Sequence, residues 1–292
     1  MSRYRAFGLN REPFASEPEL AMMAPALGQT DALARLRQAA IGRAGLALVA
    51  GERGIGKSMV RLAIARDLRI EPSIMLAELT EPADWRTDVT FLRSVASAFG
   101  IDVAGRTTLE LTTDLQKGLG AVIEDDVWPL LIVDDAHRLT SSQIDLVRSL
   151  VGPDERAPRL SVVLFGAPEI EERIGRRQAL TRHLAMRHTL NPLNALDAAG
   201  LLAFRLRLAG LEEGSGLFSG DAIVQIIERS GGNPGVLIAL AGAAIDQGAA
   251  TRSGTIDREM VVAVAQRLMP GDRGHDARER GTGISTPGSG KR

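Results

Sequence analysis

The stretch LALVAGERGIGKSMVRLAIARDL (residues 46–68) decides the fold. Five apolar residues at its start predict a buried strand, and apolar side chains at helical spacing over residues 59–68 predict a helix. Between them, residues 51–58 match the phosphate-loop pattern G-x-x-x-x-G-K-[ST]. Glycines let such a loop curl until its backbone N–H groups and the helix N-terminus face an anion. The stretch therefore predicts a strand, loop and helix that bind a chain of nucleotide phosphates.

Lys57 and Ser58 carry the most specific chemistry of this loop. Lys57 is expected to reach the β- and γ-phosphates of ATP, and the Ser58 hydroxyl is expected to ligate Mg²⁺. Lysine is rare in this chain, because only Lys57, Lys117 and Lys291 are lysines among 35 basic residues. The alternative, a glycine-rich turn without a ligand, is disfavoured by the strand and helix that flank it. The predicted nucleotide-binding residues are Gly51, Glu52, Arg53, Gly54, Ile55, Gly56, Lys57, Ser58 and Met59.

A second motif, LLIVDD (residues 130–135), consists of four apolar residues followed by two aspartates. A buried parallel strand would present Asp134 at its carboxyl end, beside the phosphate loop, where a carboxylate can hold Mg²⁺ through water. Asp135 would follow one residue later and face the γ-phosphate. A polar turn after a strand is the alternative, but the presence of the phosphate loop in the same chain favours a catalytic pair.

The elements around these motifs alternate between strands and helices. Such alternation predicts an α/β fold, a parallel sheet sandwiched by helices as in P-loop nucleotide-binding proteins. Besides residues 46–50, the predicted strands span residues 73–79, 130–133 and 160–165. The predicted helices between them span residues 59–68, 89–99, 109–123 and 143–151.

After Pro192 the pattern predicts helices alone, over residues 196–208, 222–228, 236–245 and 258–268. Ser219 is a predicted N-cap, and the sequence GGNP that ends at Pro234 separates two of these helices. Beyond Pro270, glycine and charged residues predominate, so residues 271–292 are expected to be disordered. The predicted organisation is an N-terminal arm, an α/β nucleotide-binding domain, a small helical lid domain and a tail, at residues 1–29, 30–193, 194–270 and 271–292.

Composition excludes several classes of protein. With 45% hydrophobic residues and a formal net charge of −1 over 292 residues, the chain is neither wholly disordered nor generally attractive to nucleic acid. It has no cysteine, which excludes disulfides and thiolate metal sites and agrees with a reducing compartment. No apolar run reaches the ~20 residues of a membrane span, and no secretion signal is evident at the start. A soluble, cytoplasmic protein is expected.

Beyond these motifs, the chain resembles the AAA+ ATPases of the general-secretion-pathway protein A (ExeA-type) family. The resemblance covers residues 4–268, and transposition ATPases of the TniB/TnsC kind share the same core. It rests on FGL at residues 7–9 with PF at residues 13–14, the phosphate loop, DDAH at residues 134–137, FGAPEI at residues 165–170, LNPL at residues 190–193, the RL and AG pairs within residues 205–210, and SGGNP at residues 230–234.

The resemblance implies that the second carboxylate of the strand motif, Asp135, polarises the attacking water. The family normally has glutamate there, which is longer by one methylene, so slow hydrolysis is expected. Ala167 stands where the family has a polar sensor of the γ-phosphate, and Gly235 stands where the family has an arginine that senses nucleotide from the lid. His137 either faces the same site or begins a helix near the surface.

The segment over residues 173–188 carries five arginines and no acidic residue. AAA+ subunits commonly offer an arginine from this region to the nucleotide of a neighbouring subunit, where it stabilises charge on the transferring phosphoryl group. Arg182 is the first candidate, although His183 stands in the position that the family gives to arginine. A patch that faces nucleic-acid phosphates and a solvated helix are the alternatives.

These observations predict an AAA+ ATPase that uses ATP and Mg²⁺, with Lys57, Asp134, Asp135 and Arg182 as catalytic residues and Ser58 and Asp134 as metal ligands. It would assemble as a homo-oligomeric ring or filament and act on an unidentified protein partner. One alternative is a regulator of the transposition type that binds duplex DNA, and another is a nucleotide-gated adaptor with little hydrolysis. Phe7 and Phe14 either cover the adenine or dock the N-terminal arm on the core.

Overall fold

The computed structural model describes residues 3–17, 19–23, 27–81, 85–152, 158–211 and 216–269. The tail expected to be disordered, residues 271–292, lies outside the described residues. Five parallel strands form one sheet in the order β2-β3-β4-β1-β5. The strands are β1 (Leu46–Ala50), β2 (Ile74–Leu79), β3 (Trp128–Val133), β4 (Ser161–Gly166) and β5 (Leu184–Thr189).

Helices cover both faces of this sheet, which confirms the predicted α/β sandwich. Leu46 and Leu48 of β1 pack into the layer formed by α3, α4 and α5, whereas Ala47 and Val49 pack against α1 and α2. This alternation follows from the two-residue period of a strand. These helices are α1 (Leu27–Ile41), α2 (Lys57–Arg69), α3 (Asp88–Phe99), α4 (Thr108–Glu124), α5 (Ser141–Val151), α6 (Glu169–Gly175) and α7 (Gln178–Thr181).

Threonines fix where three of the helices begin. Thr87, Thr107 and Thr140 each accept a hydrogen bond from the backbone N–H three residues later, and the side chain at that later position bonds back to the threonine N–H. Such a capping box satisfies two backbone donors that the first turn leaves without partners. The starts of α3, α4 and α5 are therefore encoded locally, independently of the sheet that they cover.

The C-terminal part of the described chain is helical, as predicted. Ser219 caps the second of its helices by accepting the Ala222 N–H, as expected from the sequence. The helices are α8 (Ala195–Leu208), α9 (Gly220–Ser230), α10 (Pro234–Thr251) and α11 (Arg258–Leu268).

The N-terminal arm docks on this helical domain. Phe14 is buried there and meets Phe218 edge to face, with ring centroids 6.3 Å apart. Phe7 packs in the same cluster, beside Gly248, and the Asn10 N–H donates to the Ala209 carbonyl at 2.8 Å. The docking interpretation of the two phenylalanines is therefore confirmed.

The edge strand β5 differs from the sequence prediction. Residues 184–189 lie in the basic segment that was expected to be a surface, and Met186 is the one side chain of β5 that is fully buried. An edge strand with one covered side chain lacks the apolar run that reveals β1, β3 and β4. Helix α1 was also not predicted. Among the described residues, no helix combines the length and apolar character needed to cross a membrane.

Candidate functional site

A cavity of about 1000 Å³ lies where the carboxyl ends of β1, β3 and β4 face the helical domain. Lys57 and Ser58 of the phosphate loop line it together with Asp134, Asp135 and Ala167. The two sequence motifs therefore meet around one space, although β4 separates their strands in the sheet. Of the predicted nucleotide-binding residues, those that line the cavity are Arg53, Gly54, Gly56, Lys57, Ser58 and Met59, whereas Gly51, Glu52 and Ile55 do not.

The phosphate loop needs glycine at two of its positions. Gly54 and Gly56 have φ of 80° and 103°, a backbone region that residues with a Cβ rarely adopt. A Cβ on Gly56 would lie 2.5 Å from the Gln29 Nε2 atom. Ile55, in contrast, points away from the cavity and is buried between the sheet and α2. Ile55 thus anchors the loop on the sheet and α2, and the backbone of the loop faces the cavity.

Lys57 is held by the loop that it follows. Its Nζ atom donates to the carbonyl oxygens of Gly51 and Glu52, at 2.7 and 2.9 Å. Burial lowers the pKa of Lys57, and the nearby carboxylates of Asp134 and Asp135 oppose that effect. An additional anion beside Nζ would offset the cost of burying this charge.

Asp134 uses both of its carboxylate oxygens. Oδ1 accepts the backbone N–H of Asp135 at 2.9 Å, and Oδ2 accepts the Arg61 Nε–H at 3.0 Å. Arg61 also donates from Nη1 to Glu78 Oε2 at 2.6 Å. Arg61 belongs to neither sequence motif and was not predicted; its position four residues after Lys57, on the same face of α2, was the available signal.

Asp135 has a left-handed backbone, with φ 49° and ψ 34°, which turns the chain from β3 into a short 3₁₀ helix over Ala136–Arg138. Aspartate tolerates this conformation better than most residues. Its side chain is about half exposed, and Oδ1 lies 4.0 Å from His137 Nδ1. His137 lines the cavity, and its Nδ1 atom accepts the Ala167 N–H at 3.3 Å. His137 thus both faces the site and belongs to a short helix.

The start of α10 is bonded directly to the phosphate loop. The Gly235 N–H donates to the Gly54 carbonyl at 2.9 Å, and Asn233 Nδ2 donates to the Arg53 carbonyl at 2.9 Å. A Cβ on Gly235 would lie 2.9 Å from Gly54 Cα and 3.1 Å from Gly54 O. The backbones therefore leave no room for the arginine that the family resemblance led us to expect at residue 235.

The opposite wall is formed by α8 and the N-terminal segment, with apolar side chains that include Met22, Met23, Leu201 and Phe204. Arg205 is 4% exposed and donates from Nη1 to the Ala15 carbonyl at 3.3 Å. Burial lowers the pKa of Arg205. This residue fastens the N-terminal segment to α8 and leaves an apolar recess beside the phosphate loop.

The basic segment is largely neutralised by partners within the chain. Arg176 pairs with Glu172, Arg177 with Asp145, and Arg187 with Glu171, while Arg173 donates to the carbonyls of His137 and Leu139. The exposed Arg182 lies outside the cavity lining, at the end of α7, and its side chain makes no hydrogen bond or ion pair with the described residues. His183 is buried.

These residues fit a nucleoside triphosphate with Mg²⁺. The loop presents backbone and Lys57 as donors to anionic oxygens, and the Ser58 hydroxyl and Asp134 carboxylate are the hard oxygen ligands that Mg²⁺ prefers. A recess walled by Met22, Met23 and Phe204 suits the flat apolar face of a base.

Comparison with known proteins agrees with this geometry. The sequence profile of the family described as "AAA domain" matches residues 39–174. Over these residues the chain is similar to AAA domains. The matched residues include the phosphate loop, Asp134 and Asp135, and the parallel sheet with the helical region that follows it has the fold of P-loop AAA+ proteins.

General secretion pathway protein A from Aeromonas hydrophila is 29% identical to this chain over 234 residues. The match covers 78% of this chain and 41% of that protein, so the chain spans less than half the length of this relative.

Solved structures show the same fold. Cdc6p from Pyrobaculum aerophilum superposes with a TM-score of 0.70 at 15% identity, over 88% of this chain and 70% of that one. The ORC1 protein of Aeropyrum pernix, solved in complex with DNA, gives 0.67 at 17% identity, over 88% and 69%. The RuvB Holliday junction branch migration motor of Thermotoga maritima gives 0.54 at 16%, over 85% and 73%. At these identities the likeness concerns the fold of the α/β domain and the helical region alone.

Proposed function

We propose that this chain is an AAA+ ATPase that binds ATP with Mg²⁺ in the cavity above its sheet and uses water to cleave the bond to the γ-phosphate, which gives ADP and phosphate. The observation that carries the proposal is the convergence of Lys57, Ser58, Asp134 and Asp135 on one cavity of about 1000 Å³. That volume lies at the upper end of the usual range of about 300–1000 Å³ for ligand sites. The match of residues 39–174 to the AAA domain family includes all four of these residues, which supports the same assignment.

Each of these residues has a distinct role in the proposal. The Lys57 ammonium exchanges its two loop carbonyls for oxygens of the β- and γ-phosphates, while Ser58 and Asp134 hold Mg²⁺. When bound, Mg²⁺ neutralises part of the negative charge on the phosphates. Asp135 orients the attacking water and accepts its proton. His137, fixed through Nδ1 by the Ala167 N–H, stands beside Asp135 and orders that side of the site.

Arg182 is proposed to act on the nucleotide of a neighbouring subunit in a homo-oligomer. Its exposure, and the absence of a partner for its side chain among the described residues, leave the guanidinium available for a phosphate. The other arginines of its segment are committed to contacts within the chain.

The direct bonds from α10 to the phosphate loop support a mechanical output. Because Gly235 and Asn233 bond to the carbonyls of Gly54 and Arg53, a change in loop conformation on nucleotide binding must move α10 or break these bonds. We infer that the helical domain reports the nucleotide state to a protein partner in the cytoplasm, as in an assembly ATPase similar to general secretion pathway protein A.

Two alternatives to this output have observations of their own. A nucleotide-gated adaptor with little hydrolysis is favoured by three departures from the family pattern, which are Asp135 in place of glutamate, Ala167 in place of a polar residue and Gly235 in place of arginine. A regulator bound to duplex DNA is the second alternative, since the ORC1 structure named above contains DNA. The basic segment supports DNA binding less than its sequence suggests, because four of its five arginines have partners within the chain.

The test is steady-state ATP hydrolysis by the purified chain, with and without duplex DNA. Lys57→Ala is expected to abolish both ATP binding and turnover, whereas Lys117→Ala, at an exposed position of α4, is a matched control that leaves both unchanged. Equal turnover in Lys57→Ala and the unchanged chain would contradict the ATPase assignment. Stimulation by DNA would favour the DNA-bound regulator, and ATP binding without turnover would favour the adaptor.

A further inference from the structure

Arg61 contacts the carboxylate that is proposed to hold Mg²⁺. Its Nε atom lies 3.0 Å from Asp134 Oδ2, and its Nη1 atom lies 2.6 Å from Glu78 Oε2. The three side chains are only 13% (Arg61), 15% (Asp134) and 14% (Glu78) exposed. A charge-assisted bond in such a partly buried position is little weakened by solvent. Arg61 is therefore a fixed positive charge at the metal ligand.

The fold holds Arg61 in this position from two sides. On α2, Arg61 lies one turn after Lys57, so both cations project toward the same end of the sheet. Glu78 lies on β2, beside β3, and Arg69 from the last turn of α2 bonds to its second carboxylate oxygen. Two arginines and two carboxylates thus balance in charge. Removing Arg61 leaves one negative charge in excess beside Asp134.

We propose that Arg61 competes with Mg²⁺ for the Asp134 carboxylate and so raises the Mg²⁺ concentration needed for tight nucleotide binding. This inference rests on the proposed nucleotide site. The competition involves Oδ2, which accepts the Arg61 Nε–H, whereas Oδ1 accepts the Asp135 N–H. A divalent cation near Asp134 meets repulsion from the guanidinium in addition to losing part of the carboxylate. Arg61 is thus a residue that sets metal dependence without touching the phosphates.

The experiment measures the affinity of a fluorescent, non-hydrolysable ATP analogue as MgCl₂ is titrated from an EDTA-containing buffer. Arg61→Gln is expected to lower the Mg²⁺ concentration for half-maximal tightening by about tenfold. Arg61→Lys keeps the charge and is expected to stay within about twofold of the unchanged chain. Arg69→Gln is the matched control, because it removes the same charge and a contact to Glu78 but does not touch Asp134.

The outcomes separate this inference from the proposed function. If Arg61→Gln needs as much Mg²⁺ as the unchanged chain, or more, then Arg61 does not compete and the inference is wrong. An equal shift in Arg69→Gln would also overturn it, since a general loss of positive charge would then suffice. If the unchanged chain binds no analogue at any Mg²⁺ concentration, the proposed nucleotide site itself fails and this inference fails with it. Thermal melting without nucleotide verifies that each variant is folded.

Discussion

At residue 235, the backbone of the phosphate loop occupies the space that a side chain would need. A Cβ there would lie 2.9 Å from Gly54 Cα, and neither backbone can move away without breaking the bond between the Gly235 N–H and the Gly54 carbonyl. Glycine is therefore required by the packing of two domains, in addition to any effect of the missing arginine. A departure from a family pattern here has a steric cause.

Replacing Gly235 is expected to destabilise the protein. Gly235→Ala should lower the free energy of unfolding by about 1–3 kcal/mol, because the added methyl group overpacks a backbone contact. Gly120→Ala in α4 is the control, since a Cβ there meets no atom within 4 Å. It should raise stability by about 0.5–1 kcal/mol. Denaturant unfolding measures both changes, and equal stability of Gly235→Ala and the unchanged chain would contradict the steric argument.

Substitution of Asp135 is expected to lower ATP turnover and to leave nucleotide binding nearly unchanged. Asp135→Asn should reduce ATP turnover by about 10²–10⁴-fold, because the amide cannot accept a proton from water. Nucleotide affinity should remain within a few fold, since asparagine also tolerates the left-handed backbone at φ 49°. Single-turnover hydrolysis and equilibrium binding test this pair of expectations. If Asp135→Asn retains the turnover of the unchanged chain, then a group other than Asp135 accepts the proton of the attacking water.

Among single residues, the sequence identified those that a motif fixes by spacing, such as Lys57 and Asp134. It did not identify Arg61 or the bond from Asn233 to the Arg53 carbonyl, because each depends on where α2 or α10 lies in three dimensions. The roles proposed for Lys57, Ser58, Asp134, Asp135 and Arg182 all stay predictions. The spacing of a motif shows which residues share a loop. It does not show which side chain, distant in sequence, pairs with a charged residue of that motif.

At the scale of elements, burial decided what the sequence could reveal. Strands β1 to β4 were predicted within two residues at each end, because each is an apolar run covered on at least one face. Strand β5 was not predicted, since Met186 is its one buried apolar side chain and the polar residues Arg187, His188 and Thr189 follow it. Helix α10 extends six residues beyond the predicted end at residue 245, through the sequence DQGAAT, which has no large apolar residue and so gives little periodic signal.

The attachment of β5 to α6 predicts a pH effect. Burial raises the pKa of Glu171, but hydrogen bonds from Arg187 and Thr189 outweigh it, so the net pKa lies below the ordinary value of 4.5. A carboxylate with a lowered folded-state pKa stabilises the fold above about pH 4.5 and loses this contribution as the pH falls through the folded value. Because Arg187 is 57% exposed, the contribution should be below about 1 kcal/mol.

Urea unfolding of the unchanged chain and of Glu171→Gln, from pH 7 to pH 3, measures this effect. The difference in stability between them should be constant near neutral pH and shrink toward pH 3. Glu172→Gln, whose side chain is 69% exposed, is the control and should show little difference at any pH. A difference for Glu171→Gln that grows on acidification would contradict the direction of the pKa shift.

At the scale of the whole molecule, Asn233 joins the helical domain to the α/β domain. Its Oδ1 atom caps α10 by accepting the N–H groups of Gly235 and Val236, while Nδ2 donates to the Arg53 carbonyl. These two functions are carried by different atoms of one amide. A single substitution can therefore keep the cap and remove the bond between domains.

Asn233→Asp is expected to lower stability by about 1 kcal/mol, because a carboxylate oxygen would then face the Arg53 carbonyl while the cap survives. Ser219→Asp, a change of cap residue at α9 that does not involve the phosphate loop, should stay within a few tenths of a kcal/mol. Hydrogen exchange with and without nucleotide is a second measurement, which tests whether this bond couples the start of α10 to the phosphate loop. Nucleotide should protect the start of α10 less in Asn233→Asp, and equal protection would show that this bond does not link the two domains.

The docked N-terminal arm also imposes an order on folding during synthesis. Arg205 bonds to Ala15, a separation of 190 residues, and Leu9 and Phe14 lie in a core built from α8 to α11. At about 5–20 residues per second, a ribosome needs roughly 10–40 s to add that much chain. All five strands emerge within this interval, so the sheet can form while the arm still exposes Leu9 and Phe14. The arm is thus translated before the sheet and the helical domain but is one of the last segments to be buried, so a chaperone that shields apolar residues has a long opportunity to bind there.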